Sequence, residues 1–469
     1  MKPTGQIVCA IISGLLAGCA TYHPRPISPL DAAATFNARA LDDRALRQFI
    51  AAHGGAEFTL NGPPSSWDLR RLTLAAFYFH ADMEVARAKL AAAEAAVVSA
   101  GARPNPTLGF SPMYDVDAAS GVSPWTLGFT LDVPIETAGK RSYRVAQAQH
   151  VANRARLAFA TTAWQVRSRV RKVLVDLQAA TQTQEILIRQ ETAQNQIVEL
   201  LEARLRAGQS SVTDVQFVRV PAAQTALQLR DAQRQAGQAS IRLADALGVP
   251  ANAVVKLPVS FPLSDQLPAA EEAGVRRREA LLNRADVLGT LADYDASQSA
   301  LRLEIAKQYP DVHLGPGYSW DQGENKFTLG VLLALPVFNK NEGPIAEAEA
   351  HRREAAASFA AVQARAIGEV ELAFAGYRDA LRKLETADAL LSGQRARMKS
   401  AQDSFAAGAA DRVELLQAQA ELGTNELARA QTFIEAQLAL AQLEDAMQRP
   451  DGATAAAGVP ASLLNHETK

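Results

Sequence analysis

Aromatic side chains make up only 6% of this chain, and cysteine occurs just twice in 469 residues, at Cys9 and Cys19. Too few thiols exist for a disulfide framework. The chain also lacks an excess charge of either sign: 48 Lys+Arg stand against 50 Asp+Glu, a net of -2. No basic face advertises nucleic acid, so that class of partner is excluded. The body of the chain holds no run of roughly 18 to 20 apolar residues, which excludes a helical transmembrane transporter. Catalytic signatures are missing as well. The seven histidines (23, 53, 80, 150, 313, 351 and 466) are scattered without a metal-ligand spacing, and the five methionines form no cluster. Gly121 and Gly323 fall in hairpin loops and not between a strand and a helix, so no phosphate-binding loop is expected. The sequence therefore predicts no enzyme, no catalytic residue, no cofactor and no resident metal.

What the chain has is alanine and leucine. Its hydrophobic set reaches 48%, carried by these two and accompanied by Glu, Arg and Gln, a composition of long helices or coiled coil. The length alone would give about three domains at roughly 150 residues each, a count that fits such a composition poorly. At the start, Lys2 and the apolar stretch Ile7 to Ala17 have the proportions of a secretory signal, too short to span a bilayer. The stretch ends in Leu16-Ala17-Gly18-Cys19, which resembles the lipobox of bacterial lipoproteins. That resemblance implies a signal peptide over 1–18, cleavage before Cys19, a covalent lipid on its thiol, and, with Ala20 following, sorting to the outer membrane. Cys9 falls within the signal, so Cys19 would otherwise be a lone free thiol in an oxidising compartment.

The chain repeats itself. Thr126-Leu-Gly-Phe-Thr-Leu-Asp-Val-Pro134 answers Thr328-Leu-Gly-Val-Leu-Leu-Ala-Leu-Pro336, and Arg103 to Gly109 answers Tyr309 to Gly315. Arg206-Ala207-Gly208 with Val212 to Val215 answers Ala406-Ala407-Gly408 with Arg412 to Leu415. The order each time is helix, extended pair, very long helix, glycine turn, helix. The expected plan has an anchored segment over 19–65 and a first unit over 66–248, with hairpin 106–134, long helix 139–207, tip 208–212 and helix 213–247. A linker over 249–268 leads to a second unit over 269–449, with hairpin 310–337, long helix 344–407, tip 408–411 and helix 412–448. Residues 450–469 form a tail.

The extended pairs alternate with period two. Trp125, Leu127, Phe129, Leu131 and Val133 share one face and Thr126, Gly128, Thr130 and Asp132 the other. In the second copy Phe327, Leu329, Val331, Leu333 and Leu335 oppose Thr328, Gly330 and Ala334. Its partner strand sets Val312, Leu314 and Tyr318 against Asp311, His313, Gly315 and Ser319. This is the pattern of a transmembrane β-barrel strand, and equally of a half-buried soluble hairpin. The helices decide. From Lys140 to Ala207 there is neither Gly nor Pro, so the helix runs on the order of 100 Å at about 1.5 Å per residue. Apolar steps of three and four (Leu69, Leu72, Ala76, Phe79, Met83, Ala86, Leu90; Val287, Leu291, Tyr294, Gln298, Leu301, Ile305) mark coiled-coil seams. Four strands cannot close a barrel in lipid, where unpaired backbone groups find no water, so the chain is expected to oligomerise. Three copies of four strands give twelve; two or four chains fit the same arithmetic.

The lipobox, Ala102-Arg103-Pro104-Asn105-Pro106, Pro134 to Arg141 and Pro336 to Asn341 together resemble the TolC family of outer-membrane efflux ducts. Gly139-Lys140-Arg141 and Asn339 to Gly343, followed by Ile345-Ala-Glu-Ala-Glu349, are most similar to the CzcC and CusC type of heavy-metal resistance lipoproteins. The resemblance covers about residues 66 to 448. It implies a mainly α fold with a small β part. A trimeric twelve-stranded membrane barrel would continue into a periplasmic helical tunnel, served by a periplasmic adaptor and an inner-membrane pump of the resistance-nodulation-division class. Heavy-metal cations are one implied cargo, organic compounds another. Gly208 and Gly408 match the periplasmic tips where an adaptor docks, and Asp214 and Glu414 match aperture-lining acids. Asp214 can instead start its helix after Ser211 and Thr213. Arg412 beside Glu414 would dilute or lock a negative ring. Pro221 is expected to kink the helix after the first tip. His313 beside Asp311 would face the solvated interior. A periplasmic adaptor or coiled-coil scaffold lipoprotein would share the anchor and the helices, but such adaptors carry one coiled-coil hairpin and a lipoyl-type domain, and neither is seen.

Overall fold

The computed structural model describes residues 21–54, 66–255, 257–261, 267–270 and 273–450; Cys19, the signal 1–18, and 451–469 lie outside the described residues. Two compact units emerge, 1–40 and 41–469. In the first, Pro29–Asn37 forms helix α1, started by Pro29 and by Ser28, whose hydroxyl accepts from the Asp31 N–H.

The second unit runs α2 (Arg44–Gly54), α3 (Leu69–Phe79), α4 (Ala81–Ala100), β1 (Thr107–Tyr114), β2 (Trp125–Ile135), α5 (Lys140–Arg206), α6 (Val212–Leu247), α7 (Ala273–Asn283), α8 (Ala285–Ala306), β3 (Val312–Asp321), β4 (Glu324–Leu333), α9 (Glu342–Ala406) and α10 (Arg412–Met447). The long helices have 67 and 65 residues. Gly368, Gly376 and Gly393 do not interrupt α9, and α6 continues through Pro221 without a break. The helix expected at the start of each unit is divided in two. His80 and Arg284 adopt extended backbone (ψ 128° and 117°) and separate α3 from α4 and α7 from α8. His80 is thus not on a helix but between two, its Nδ1 accepting from the Asp82 N–H.

The described strands form an antiparallel sheet of order β1-β2-β3-β4. The two hairpins join through β2 and β3, with Phe129 opposite Tyr318 and Ile135 opposite Val312. The second hairpin is shorter than expected, since β4 stops at Leu333 and Leu335 lies beyond it, whereas central β2 carries on through Pro134. The helices line up as α6-α5-α10-α9, each packed on its neighbour, with α4 and α8 on α5 and α8 on α9.

The main apolar core gathers α2, α3 and the facing parts of α5 and α6, around Leu46, Leu72, Phe77, Met83, Leu174 and Leu243. The linker contributes a short parallel bridge, Trp67 to Val259, with Ser260 donating to the Trp67 carbonyl. A smaller core over α7, α9 and α10 surrounds Tyr377, whose hydroxyl donates to the Pro268 carbonyl. Between the copies lies a buried ionic cluster. Arg167 and Arg171 of α5, fully buried, both meet the Glu444 carboxylate of α10, which has no exposure. Trp164 stacks on Arg167 at 4.6 Å and donates to Asp445. Burial pushes the Asp445 carboxyl up, against hydrogen bonds from Ser168 and Trp164 and the two guanidiniums.

Removing one partner from a buried ion cluster strands the others without solvent, a loss of about 3–5 kcal/mol, while an exposed pair contributes about 1 kcal/mol or less. Glu444→Gln is expected to destabilise the folded protein by about 3–5 kcal/mol. Glu426→Gln, which breaks the exposed pair with Arg189, should have under about 1 kcal/mol of effect. Denaturant unfolding of both variants in detergent compares them; equal midpoints would refute the role given to the cluster.

Candidate functional site

The sheet has two chemically distinct faces. Register places Leu108, Phe110 and Tyr114 of β1 beside Leu131, Phe129 and Trp125 of β2. Leu127, Phe129 and Val133 of β2 meet Trp320, Tyr318 and Leu314 of β3, and Tyr318 and Leu314 in turn meet Phe327 and Val331 of β4. One aromatic row crosses all four strands. Phe110 to Phe129 is 4.8 Å between centroids, Phe129 lies opposite Tyr318, and Tyr318 to Phe327 is 5.3 Å. These side chains cover one another and little else: Phe327 is 82% exposed and Leu108 72%. The opposite face carries Thr126, Thr130, Asp132, His313, Ser319, Asp321, Lys326 and Thr328. Glycines face bulkier partners across the strands; a Cβ at Gly317 would come within 2.5 Å of Thr328 Oγ1. An apolar face that nothing among the described residues covers, backed by a polar one, suits lipid outside and water inside.

The polar face contains a pairing the sequence did not reveal. His313 Nδ1 meets Asp132 at 3.0 Å, not Asp311. Asp311 is engaged at the corner where β2 turns into α5. It accepts from the Thr137 N–H at 2.9 Å and from Lys140 Nζ at 2.7 Å, while Thr137 Oγ1 donates to the Pro310 carbonyl. Burial opposes ionisation of Asp311, but these bonds outweigh it and hold the carboxyl below the usual range. Asp311 would share a face with His313 by alternation, but it lies just before β3 and is taken up by Thr137 and Lys140, which leaves His313 to Asp132 on the neighbouring strand. Arg144 secures the same corner with a bidentate bond to Glu136 at 2.6 and 3.1 Å.

At the far end of the helices the two turns are nearly superimposable in their bonding. Gly208 and Gly408 take φ of +71° and +70°, a left-handed conformation that costs most residues energy. Each closes its helix the same way: Gly208 donates to Leu205 and Gln209 to Arg204, Gly408 to Phe405 and Ala409 to Ser404. The next helix then starts on a side-chain cap. Asp214 is committed to that task in a capping box: Ser211 Oγ accepts the Asp214 N–H and Asp214 accepts the Ser211 N–H at 2.8 Å. These bonds, with one from Ser210, hold its carboxyl below its ordinary range. In the second turn the cap is Asp411, which accepts from the Glu414 N–H and from Arg204 of α5 at 2.9 Å. The sequence reading overlooked Asp411 and Arg204; an acid three residues before Glu414 was the available signal. Glu414 and Arg412 are exposed beside it.

Two grooves lie on opposite sides of α10. One, of about 620 Å³, is rich in amides from Gln190, Gln194, Gln224, Gln228 and Gln431 and touches Pro221. The other, of about 510 Å³, is charged, with Glu185, Arg189, Asp388, Arg395, Glu426 and Arg429. Among the described residues, no group of three or more His, Cys, Asp or Glu is placed to hold a metal, and no helix is long and apolar enough to cross a membrane.

A sequence profile described as outer membrane efflux protein matches residues 79–249 and again 277–448, one match on each copy. The chain belongs to the outer membrane efflux protein family. A curated member of similar sequence is the cobalt-zinc-cadmium resistance protein CzcC of Cupriavidus metallidurans, 26% identical over 215 residues. That alignment spans 45% of this chain and 50% of the relative, so the chain matches about half of that protein's length. Among solved structures, the outer membrane protein VceC of Vibrio cholerae matches with a TM-score of 0.65 at 20% identity, over 81% of this chain and 95% of that one. CusC, described in terms of transmembrane channel formation, matches with a TM-score of 0.65 at 18% identity, over 81% and 91%. These likenesses establish the fold: a duplicated efflux-family chain with a four-stranded sheet and paired long helices.

The tip geometry generates a prediction. Because Asp411 titrates low in the folded state, its stabilisation is complete above the ordinary carboxylate pKa and vanishes as pH falls through the lowered value. Asp411→Ala should loosen residues 408–418 at neutral pH by about 1 kcal/mol, the usual worth of a helix cap. Hydrogen exchange there should quicken about fivefold, with Asp411→Asn, which keeps the cap, closer to wild type; unchanged exchange in the alanine variant contradicts this account.

Proposed function

We propose that the protein is a passive exit duct of the outer membrane, conducting substrates delivered from the periplasm to the exterior. The observation that carries this is the sheet, which has an unclothed apolar face, a polar face and two edge strands, β1 and β4, in a chain whose two copies both belong to the efflux family. Three copies side by side supply twelve strands and remove every edge. The same operation sets α6 of one copy next to α9 of another. Phe217, Leu227 and Ile241 of α6 and Leu372 and Leu390 of α9 are exposed in the single chain and would meet there. A heterologous contact repeated around a three-fold axis closes on itself.

In this reading the polar strand face lines the pore, and the helices form its periplasmic continuation. The turns at Gly208 and Gly408 receive a periplasmic adaptor coupled to an energised inner-membrane pump of the resistance-nodulation-division class. Glu414 and Arg412 line the aperture more freely than Asp214, whose carboxylate is spent on its helix cap. Cys19 carries the lipid. Heavy-metal cations are the proposed cargo, supported by the name of the CzcC relative; no built metal site is required of a duct that cargo only passes through. The adaptor or scaffold alternative explains neither the sheet nor the duplicated family match.

The purified full-length protein is expected to be trimeric in detergent and to form ohmic channels in planar bilayers. A monomer without conductance would sink the proposal. For cargo, a deletion strain should lose tolerance to zinc, cobalt or cadmium while keeping its tolerance to dyes and antibiotics; the reverse pattern assigns organic cargo instead. Cys19→Ala should leave a folded, trimeric protein without acyl label and with partly reduced tolerance.

A further inference from the structure

The internal duplication supplies a template for the contact that a single chain cannot show. Within the chain, the first copy's outgoing strand β2 pairs with the second copy's incoming strand β3. Around a ring, the second copy's outgoing strand β4 must meet the first copy's incoming strand β1 of the next chain in an equivalent way. The repeat equates Thr126 with Thr328 and Pro134 with Pro336 in the outgoing strands. It equates Pro310 with Pro104 and Gly315 with Gly109 in the incoming ones. Carrying the β2–β3 register across these equivalences, we infer that β4 pairs with β1 of a neighbouring copy with Thr328 opposite Asp115, Leu329 opposite Tyr114, Val331 opposite Pro112 and Leu333 opposite Phe110. This rests on the duct reading above and adds the register and the bonds that fix it.

Three independent features agree with the transferred register. First, the faces match: on the apolar face Leu329, Val331 and Leu333 of β4 meet Tyr114, Pro112 and Phe110 of β1, although a slip by one residue would have set Leu333 against Ser111 or Gly109. Second, the bond that ends the internal seam has its counterpart. Thr126 Oγ1 donates to Asp321 at 2.7 Å, and the equivalent residues are Thr328 and Asp115, again a threonine and an aspartate. Third, the corner chemistry is complementary. Where the Thr137 N–H bonds Asp311 and its hydroxyl bonds the Pro310 carbonyl, the second copy offers the N–H and side-chain amide of Asn339 to Asn105 and the Pro104 carbonyl. Where Lys140 donates to Asp311, the roles reverse: the Asn105 amide donates to the Glu342 carboxylate. In the isolated chain this corner is bare, with Val337 72% and Phe338 fully exposed. The His313–Asp132 pair is the one element not repeated, because its equivalents are Thr107 and Ala334, so it occurs once per chain.

The test is disulfide trapping in the full-length protein. Directly opposite residues in an antiparallel pair lie about 4.5–5.5 Å apart at Cα, inside the range a disulfide spans, and a two-residue slip takes them outside it. Thr328→Cys with Asp115→Cys should yield covalently linked trimers under oxidation, reversed by reductant. Thr328→Cys with Met113→Cys, and Gly330→Cys with Asp115→Cys, report slips in either direction and should link at least fivefold less. A slipped pair linking best overturns the register, and so does the absence of linkage in a protein that is trimeric by mass. A wild-type protein that is monomeric by mass overturns the duct reading and the seam with it, a result distinct from both. A second measurement avoids cysteine. Asn105→Asp alone sets two carboxylates together and should lower the temperature at which trimers dissociate. Adding Glu342→Lys rebuilds the internal Lys140–Asp311 pair and should raise it again; no recovery counts against the corner contact.

Discussion

The backbone groups of β1 and β4 govern everything else in this molecule. A strand edge exposes a row of N–H and C=O groups, and in a hydrocarbon layer each unpaired group costs several kcal/mol. The sheet combines such edges with an apolar face that no described residue covers, and the proposed assembly of chains answers both. Soluble proteins blunt their edges with charge or proline. Here β4 is mostly apolar or small from Phe327 to Leu333, a surface tolerable only if another strand lies against it. The long helices follow from the same demand, since each leaves the sheet at a fixed spacing and must find neighbours at that spacing along its whole length.

Duplication meets this demand economically, because one kind of seam can serve both inside and between chains. The copies have nonetheless diverged where single side chains carry the local fold. The break between α3 and α4 is held by His80, which Arg169 approaches at 2.7 Å; burial pushes its pKa down and keeps the imidazole neutral. The matching break between α7 and α8 is held by Arg284, in a bidentate pair with Asp286 and a bond of 2.5 Å to Glu369. One break carries an imidazole beside a guanidinium and the other a guanidinium among carboxylates, so neither residue can replace the other. At the ends of α6 and α10 the left-handed residue is Gly248 in one case and Gln448 in the other. Gly248 has no choice, for a Cβ there would lie 2.8 Å from the Phe79 carbonyl. Gln448 occupies the same conformation and uses its side chain, accepting from the Ala285 N–H.

Much of this was legible in the sequence because it rests on periodicity. Alternation gave the strands and their faces, the absence of Gly and Pro gave α5, and repetition gave the order of elements. What stayed hidden depends on register and on contacts between distant segments. Arg167 and Arg171 read as surface residues of a polar helix until α10 brings Glu444 beneath them. His313 was assigned to Asp311, two residues away, when the partner lay 181 residues away on another strand. The breaks at His80 and Arg284 escaped notice because neither glycine nor proline marks the spot, and the first heptad seam runs straight past His80. Pro221 raised the expectation of a kink; it lies within α6, which runs as one helix from Val212 to Leu247 and packs on α5.

The tips show how far charge-based reasoning extends. Of the acids that seemed free to colour an aperture, Asp214 is in structural use, and so is Asp411, which the sequence did not single out. Asp214 accepts the Ser211 N–H just before α6, and Asp411 accepts the Glu414 N–H of α10 while also holding Arg204. Arg204, Arg206 and Arg412 stand against Asp214, Asp411 and Glu414 within the segments 204–214 and 404–414, so the formal charges of the two turns cancel. Rings of such turns would present alternating charges at short range and little net potential beyond a Debye length of about 8 Å. A duct built this way does not need to choose its cargo electrostatically at the entrance. Discrimination then falls to whatever loads it, and a neutral mouth is suited to releasing a cation as readily as it admits one, since strong binding at the gate would only slow the exit.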